Sequence, residues 1–168
     1  MWSFSSPQQL SNEISAGLRC CIGEGLIAWL PKPSKLVCWD MPKRSTRWET
    51  APFSRNHRAM AVSPDGKRLL TADRRVLTLY DCVTGQVIYE TPCEYSVKAI
   101  AFIEGGSRFV TGGDQGQVGI WHAGLGQHLL ELAHLGMPIT SLHELEEGFL
   151  ASALESGEGR HRRVWKRF

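Results

Sequence analysis

The side chains here with the most chemical reach are five cysteines, a spaced set of histidines, one glycine-rich run and one basic cluster. Cys20, Cys21, Cys38, Cys82 and Cys93 would suit zinc if they were paired at C-x-x-C spacing. Cys20 and Cys21 are adjacent instead, and adjacent strand residues point to opposite faces. The odd count and irregular spacing fit reduced thiols in a reducing compartment. Gly112-Gly113-Asp114-Gln115-Gly116 is glycine-rich. It opens no helix and carries no Lys-Ser or Lys-Thr, which a phosphate loop needs, and a hairpin turn accounts for it. No G-x-S-x-G nucleophile turn is present. Arg160-His161-Arg162-Arg163 with Lys166-Arg167 is able to touch phosphate. Glu155 and Glu158 dilute that charge, so a solvated hairpin tip near the chain end is the better account. The expectation is a non-enzyme with no cofactor and no metal.

Whatever positions these residues must be built from short pieces. The chain has 168 residues, 42% of them hydrophobic and 21% charged, with a formal net charge of +2. That is enough for one core, too apolar for disorder, and too nearly neutral for a dedicated nucleic-acid binder. Met1-Trp2-Ser3-Phe4-Ser5-Ser6-Pro7 lacks the basic segment and apolar run of a secretory leader. The apolar stretch from Gly25 to Leu30 is too short to span a bilayer. The reading is a cytoplasmic protein with no membrane segment.

A repeat organises the chain. An aromatic followed by a polar residue recurs as Trp39-Asp40, Tyr80-Asp81, Trp121-His122 and Trp165-Lys166, at spacings of 41, 41 and 44 residues. A turn glycine before an apolar run recurs as Gly25, Gly66, Gly106 and Gly148, at spacings of 41, 40 and 42. A period of about 40–45 residues is that of four-stranded propeller blades. Helical repeats of similar length need apolar residues at i, i+3, i+4 and i+7. The apolar runs here are short, β-branched or aromatic, and broken by Gly, Asp and Pro, which is strand and turn grammar. The predicted strands are 14–21, 26–30, 36–39 and 47–50, then 59–62, 69–71, 76–80 and 86–90. The third unit has 97–102, 108–111, 117–121 and 127–132, and the fourth has 139–142, 149–152 and 162–165. In that arrangement His122, His128 and His134 diverge, which argues against a metal set.

With these residues in place the chain resembles the WD-repeat β-propellers. The segment from Met60 to Leu70, containing Ser63-Pro64-Asp65-Gly66, looks like the family's first turn. The segment from Phe109 to Trp121 looks like its second hairpin. The resemblance covers most of the chain. It implies an all-β propeller of four WD-type blades at roughly 11–50, 57–91, 95–132 and 136–168, with 1–5 as a closing strand. In the family a His before the first strand, a Ser or Thr on the second, an Asp in the next turn and the Trp of the third form a hydrogen-bonded set. By resemblance, Thr71 and Tyr80, Thr111 and Trp121, and Ser152 and Trp165 match it, with Trp39 in the first unit. His134 matches the histidine of unit four. The sequence departs where His57 stands at an apolar position, Cys93 at the histidine of unit three and Gln115 near the aspartate. Three arrangements fit: a closed four-bladed ring, an open half-ring that a second copy completes as a homodimer, and part of a longer chain.

The resemblance implies a non-catalytic scaffold that binds a protein or peptide through loops on one face, since loops on a rigid frame carry recognition. Those loops hold Phe53, Arg55, Arg74, Arg75, Tyr95, Gln115, Met137, Arg160 and His161, among them aromatic, Met and Arg types enriched in interfaces. Trp2, Trp29 and Trp48 fall outside the repeat and are further interface candidates. A regulatory piece of a larger WD-repeat protein and a propeller enzyme with a central-channel site are the alternatives.

Overall fold

The computed structural model describes residues 20–23, 25–29, 35–50, 57–145, 148–154 and 161–166. The expected closing strand at 1–5, and Phe53, Arg55 and Arg160 of the loop set, lie outside these residues.

Fifteen strands follow one another through the described residues. The first sheet holds β1 (Cys20–Gly23), β2 (Leu26–Trp29), β3 (Val37–Asp40) and β4 (Ser45–Glu49). The second holds β5 (His57–Val62), β6 (Arg68–Asp73), β7 (Val76–Asp81) and β8 (Val87–Pro92). The third holds β9 (Val97–Ile103), β10 (Arg108–Gly113), β11 (Gln117–His122) and β12 (Gln127–His134), with a single 3-10 turn at Glu104–Gly106. The fourth holds β13 (Ile139–Leu145), β14 (Gly148–Leu154) and β15 (His161–Lys166). Every sheet is an antiparallel meander in chain order. The chain is therefore an all-β propeller with WD40-like blades. The tight turns before the second strands follow from glycine: Gly25, Gly66 and Gly106 all have positive φ, at 70°, 67° and 90°, where a side chain would be strained.

The first strands adjoin one another, β1 to β5, β5 to β9 and β9 to β13. Each sheet thus presents its first strand to the inside, and the first three leave their fourth strand at the rim. Strand alternation then sends neighbouring residues to opposite seams. In β6 and β7, Leu69 and Tyr80 pack with Leu26, Ala28 and Cys38 of the first blade. Leu70 and Leu79, one residue along, pack with Phe102, Phe109 and Trp121 of the third. Val110, Val118 and Ile120 turn the other way, onto Ile139, Phe149 and Ala151 of the fourth. The core is thus three seams between blades. Each fully buried Leu, Val or Phe in them contributes about 2 kcal/mol.

The strand register shows why the aromatic period is real. Thr71 pairs with Thr78, two residues before Tyr80. Thr111 pairs with Gly119, two before Trp121. Ser152 pairs with Arg163, two before Trp165. In the first blade Trp29 pairs with Val37, two before Trp39. In the first three blades the polar residue after the aromatic holds the turn into the fourth strand, as Asp40 does by accepting from Lys43 N at 3.1 Å. Asp81 accepts from Val83 N at 2.8 Å and Thr84 N at 2.7 Å. His122 Nδ1 accepts from Gly124 N and Leu125 N, both at 3.2 Å.

Candidate interaction face

In the second and third blades the hairpin joining the second and third strands reverses the chain at a tip of two or three residues. In the second blade that tip is Asp73-Arg74-Arg75, and Arg74 takes a φ of 52°. A non-glycine residue in the left-handed region persists only where its surroundings hold it. Here they do. Arg74 O accepts from Val97 N at 2.8 Å, and Arg75 O from Cys93 N at 2.7 Å. Both arginine side chains remain exposed.

The neighbouring tip is fixed in the same manner. Asp114 N donates to Ser96 O at 3.1 Å, and Leu135 N donates to Gly116 O at 3.0 Å. Ser96 and Val97 therefore touch both tips, and the segments before β9 and β13 run alongside them. Arg74, Arg75 and Gln115 present exposed side chains from these tips. Met137, on the segment before β13, is half-buried against the seam between the third and fourth blades. His161 opens β15 opposite Leu154.

Tyr95 belongs elsewhere. Expected among the exposed loop residues, it is 6% exposed. Its hydroxyl lies 2.6 Å from Thr111 Oγ1, and Trp121 Nε1–H donates to the same oxygen at 2.8 Å. Tyr95 stands two residues before β9, and it, rather than Cys93, is the residue that reaches the second-strand threonine. Cys93, expected in that role, is buried beneath it. Burial pushes the Tyr95 hydroxyl far above its ordinary range and raises the Cys93 thiol as well. Both therefore stay protonated, and neither is an activated nucleophile or base.

His134 also departs from expectation. β12 runs on to include it, so it remains on the rim with Nδ1 3.8 Å from Glu131, and no hydrogen bond joins it to Ser152. The residue two before β13 is Met137, so the fourth blade has no polar group at that place. Of the other repeat positions, Thr71, Tyr80, Thr111 and Trp121 are buried, and Trp39 and Ser152 are half-buried.

Sequence reasoning missed a latch between blades. Trp48 on β4 stacks on Tyr80 at 6.2 Å and donates from Nε1 to Cys82 O at 2.9 Å. Tyr89 on β8 donates from its hydroxyl to Ala123 O at 2.9 Å. Each ring covers a positive-φ glycine of the next blade: a Cβ on Gly85 would meet Trp48 at 2.8 Å, and one on Gly126 would meet Tyr89 at 2.6 Å. Trp48 is thus a strut between blades rather than a free interface residue. The signal was available, since Trp48 and Tyr89, Gly85 and Gly126, and Cys82 and Ala123 are each 41 residues apart.

Among the described residues no three metal-binding side chains cluster, and no helix is long and apolar enough to cross a membrane. Cys38, Cys82 and Cys93 are buried and form no disulfide among the described residues.

No protein-family description matches the sequence, and no curated protein does. Solved structures do share the fold. RRP9 WD40 repeats superpose with a TM-score of 0.72 at 17% identity, over 90% of this chain and 55% of that one. U3-55K superposes at 0.73 and 16%, over 88% and 52%. Hydrazine synthase of Kuenenia stuttgartiensis superposes at 0.72 and 14%, over 86% and 44%. This chain spans about half the length of these neighbours. At such identities the likeness is one of fold, a WD40-like propeller.

Proposed function

We propose that this chain is a non-catalytic interaction scaffold that holds a protein or peptide partner on the face formed by the β6–β7 and β10–β11 tips. The observation that carries this reading is the pair Arg74 and Arg75. Their backbone is pinned by two short hydrogen bonds, one to Cys93 just after β8 and one to Val97 of the next blade, while both side chains stand in solvent. A rigid backbone that offers two guanidinium groups favours carboxylates, because each fork can engage one bidentately. Gln115 and Met137 extend the face, and Phe53, Arg55, Arg160 and His161 complete it in this reading. Buried thiols outside any disulfide fit a reducing compartment, and we place the chain in the cytoplasm.

The test is affinity capture from lysate with the wild-type chain and with R74E/R75E, read by quantitative mass spectrometry. The reading expects proteins that the wild type holds and the variant loses by tenfold or more, with the β-sheet circular dichroism unchanged. Equal capture by both chains overturns this face. Light scattering on the same samples separates a single chain of 18.8 kDa from a homodimer that shares one ring.

A further inference from the structure

A groove of about 420 Å³ runs between the rim strands of the second and third blades. Its volume falls in the usual range for ligand sites, about 300–1,000 Å³. The end of β8 (Thr91, Pro92) and Glu94 form one wall, and Gln127, His128 and Glu131 form the other. Tyr95 and Trp121 lie at its floor.

Three observations give the groove a chemical preference. The first is Gly119, which pairs with Glu131 across β11 and β12. A Cβ at Gly119 would meet Tyr95 Oη at 2.5 Å, His128 Nε2 at 3.0 Å and Trp121 Nε1 at 3.2 Å. The bare glycine lets all three polar atoms converge under the groove. The second concerns which of them is free to bind. Tyr95 and Trp121 are committed to Thr111. The exposed His128 ring stands edge-on to Trp121, 4.7 Å between centroids, and among the described residues no hydrogen bond involves its Nε2. The third is charge. Glu94 and Glu131 are both exposed, one on each wall. Glu94 makes no ion pair among the described residues, and Glu131 has only His134 near it, at 3.8 Å. Arg75 acts electrostatically on Cys93, beside Glu94. Walls of low dielectric concentrate the field of such carboxylates into the cleft.

We infer that this groove binds an arginine side chain presented by a partner peptide. The methylene stem lies against Pro92 and the His128 ring, as long cationic side chains cover apolar surface while the head stays polar. The planar guanidinium reaches Glu94 and Glu131 with separate N–H groups and offers another to His128 Nε2. Its five fixed donors satisfy acceptors on two walls at once, which a lysine ammonium does less well. The site is distinct from the Arg74–Arg75 face, whose charge preference is the opposite.

The probes are Nα-acetyl-arginine-methylamide and its neutral isostere, Nα-acetyl-citrulline-methylamide, titrated into the whole chain. The readout is the shift of backbone amide and His128 ring NMR signals. The arginine probe should move signals of residues 91–95 and 126–131 saturably, and the citrulline probe should bind at least about tenfold more weakly. Glu131→Gln and Glu94→Gln keep shape and remove charge at exposed positions, so both variants fold. Each should weaken the arginine probe several-fold, and raised salt should weaken it too. Arg74→Glu alone, which belongs to the partner face and not to the groove lining, should leave the probe's affinity unchanged, and this separates failure of this site from failure of the partner face. Equal binding of the two probes, shifts confined to other residues, or full affinity in the Glu131→Gln, Glu94→Gln double variant would overturn the inference.

Discussion

The second and third blades have matching strands and turns, yet they satisfy the same interior position differently. Thr111 Oγ1 is bound by both Tyr95 and Trp121. Thr71, its counterpart, is equally buried, and its Oγ1 has no partner among the described residues. The cause lies one strand away. Where the third blade has an indole N–H, the second has Tyr80, whose ring is turned to stack on Trp48 of the first blade. Both aromatics lie in a seam, Tyr80 against the first blade and Trp121 against the second, and Trp121 also binds the threonine of its own blade. A repeat can therefore keep its register and its seam contact while the internal hydrogen bond is made in one blade and not in the next.

Substituting the two threonines tests this most severely. Thr111→Val removes the acceptor and leaves a buried hydroxyl and a buried indole N–H without their partner. Each unsatisfied group costs about 1–3 kcal/mol, so a loss of about 2–3 kcal/mol is expected in chemical denaturation. Thr71→Val removes a hydroxyl that nothing here satisfies and replaces it with an isosteric methyl, so stability should stay within about 0.5 kcal/mol or rise. Equal losses at the two sites would show that Thr71 has a partner of similar worth and that the blades do not differ.

The seams offer a milder comparison. Tyr89 latches the second blade to the third. One repeat later the same place holds Leu130, which is 48% exposed and has no hydroxyl to donate. Tyr89→Phe keeps the ring over Gly126 and loses only the bond to Ala123 O, at a cost of about 1 kcal/mol. Burial raises the Tyr89 hydroxyl to about 12, so it remains a donor at neutral pH. Leu130→Ala, exposed and outside any latch, should cost less. If Leu130→Ala costs more, the third and fourth blades are joined by a contact at that place after all.

These contrasts mark how far the sequence could be read. The period of the aromatics became the strand register, because each aromatic sits two places past the partner of a second-strand residue. That geometry depends on backbone spacing, which sequence carries directly. The polar set was legible only where residue types are conventional. Tyr95 was misplaced because Cys93, two residues earlier, stands where the partner of Thr111 is expected, and His134 because nothing in the sequence told how far β12 runs. The latches escaped because their chemistry changes at each repeat, indole, then phenol, then leucine, while only the spacing is kept. The groove needed Gly119, whose meaning lies in what its missing Cβ leaves open.

The smallest expected effect concerns the turns after the third strands, where the second blade uses Asp81 and the third uses His122. Backbone N–H groups of Thr84 and Val83 favour the charged Asp81 carboxylate and hold it below the usual range, against some opposing burial. Arg47 and then Lys43 N do the same for Asp40 in the first blade. A carboxyl whose folded pKa is depressed binds fewer protons folded than unfolded. Its contribution is therefore complete above the unfolded value, about 3.9, and disappears as pH falls through the folded one. Asp81→Asn should lower the denaturant midpoint slightly at neutral pH. The gap to the parent chain should close as pH drops from about 5 toward the depressed value. A gap that holds constant across that window would mean that shape and not charge secures the Asp81 turn, leaving the second and third blades alike at this position.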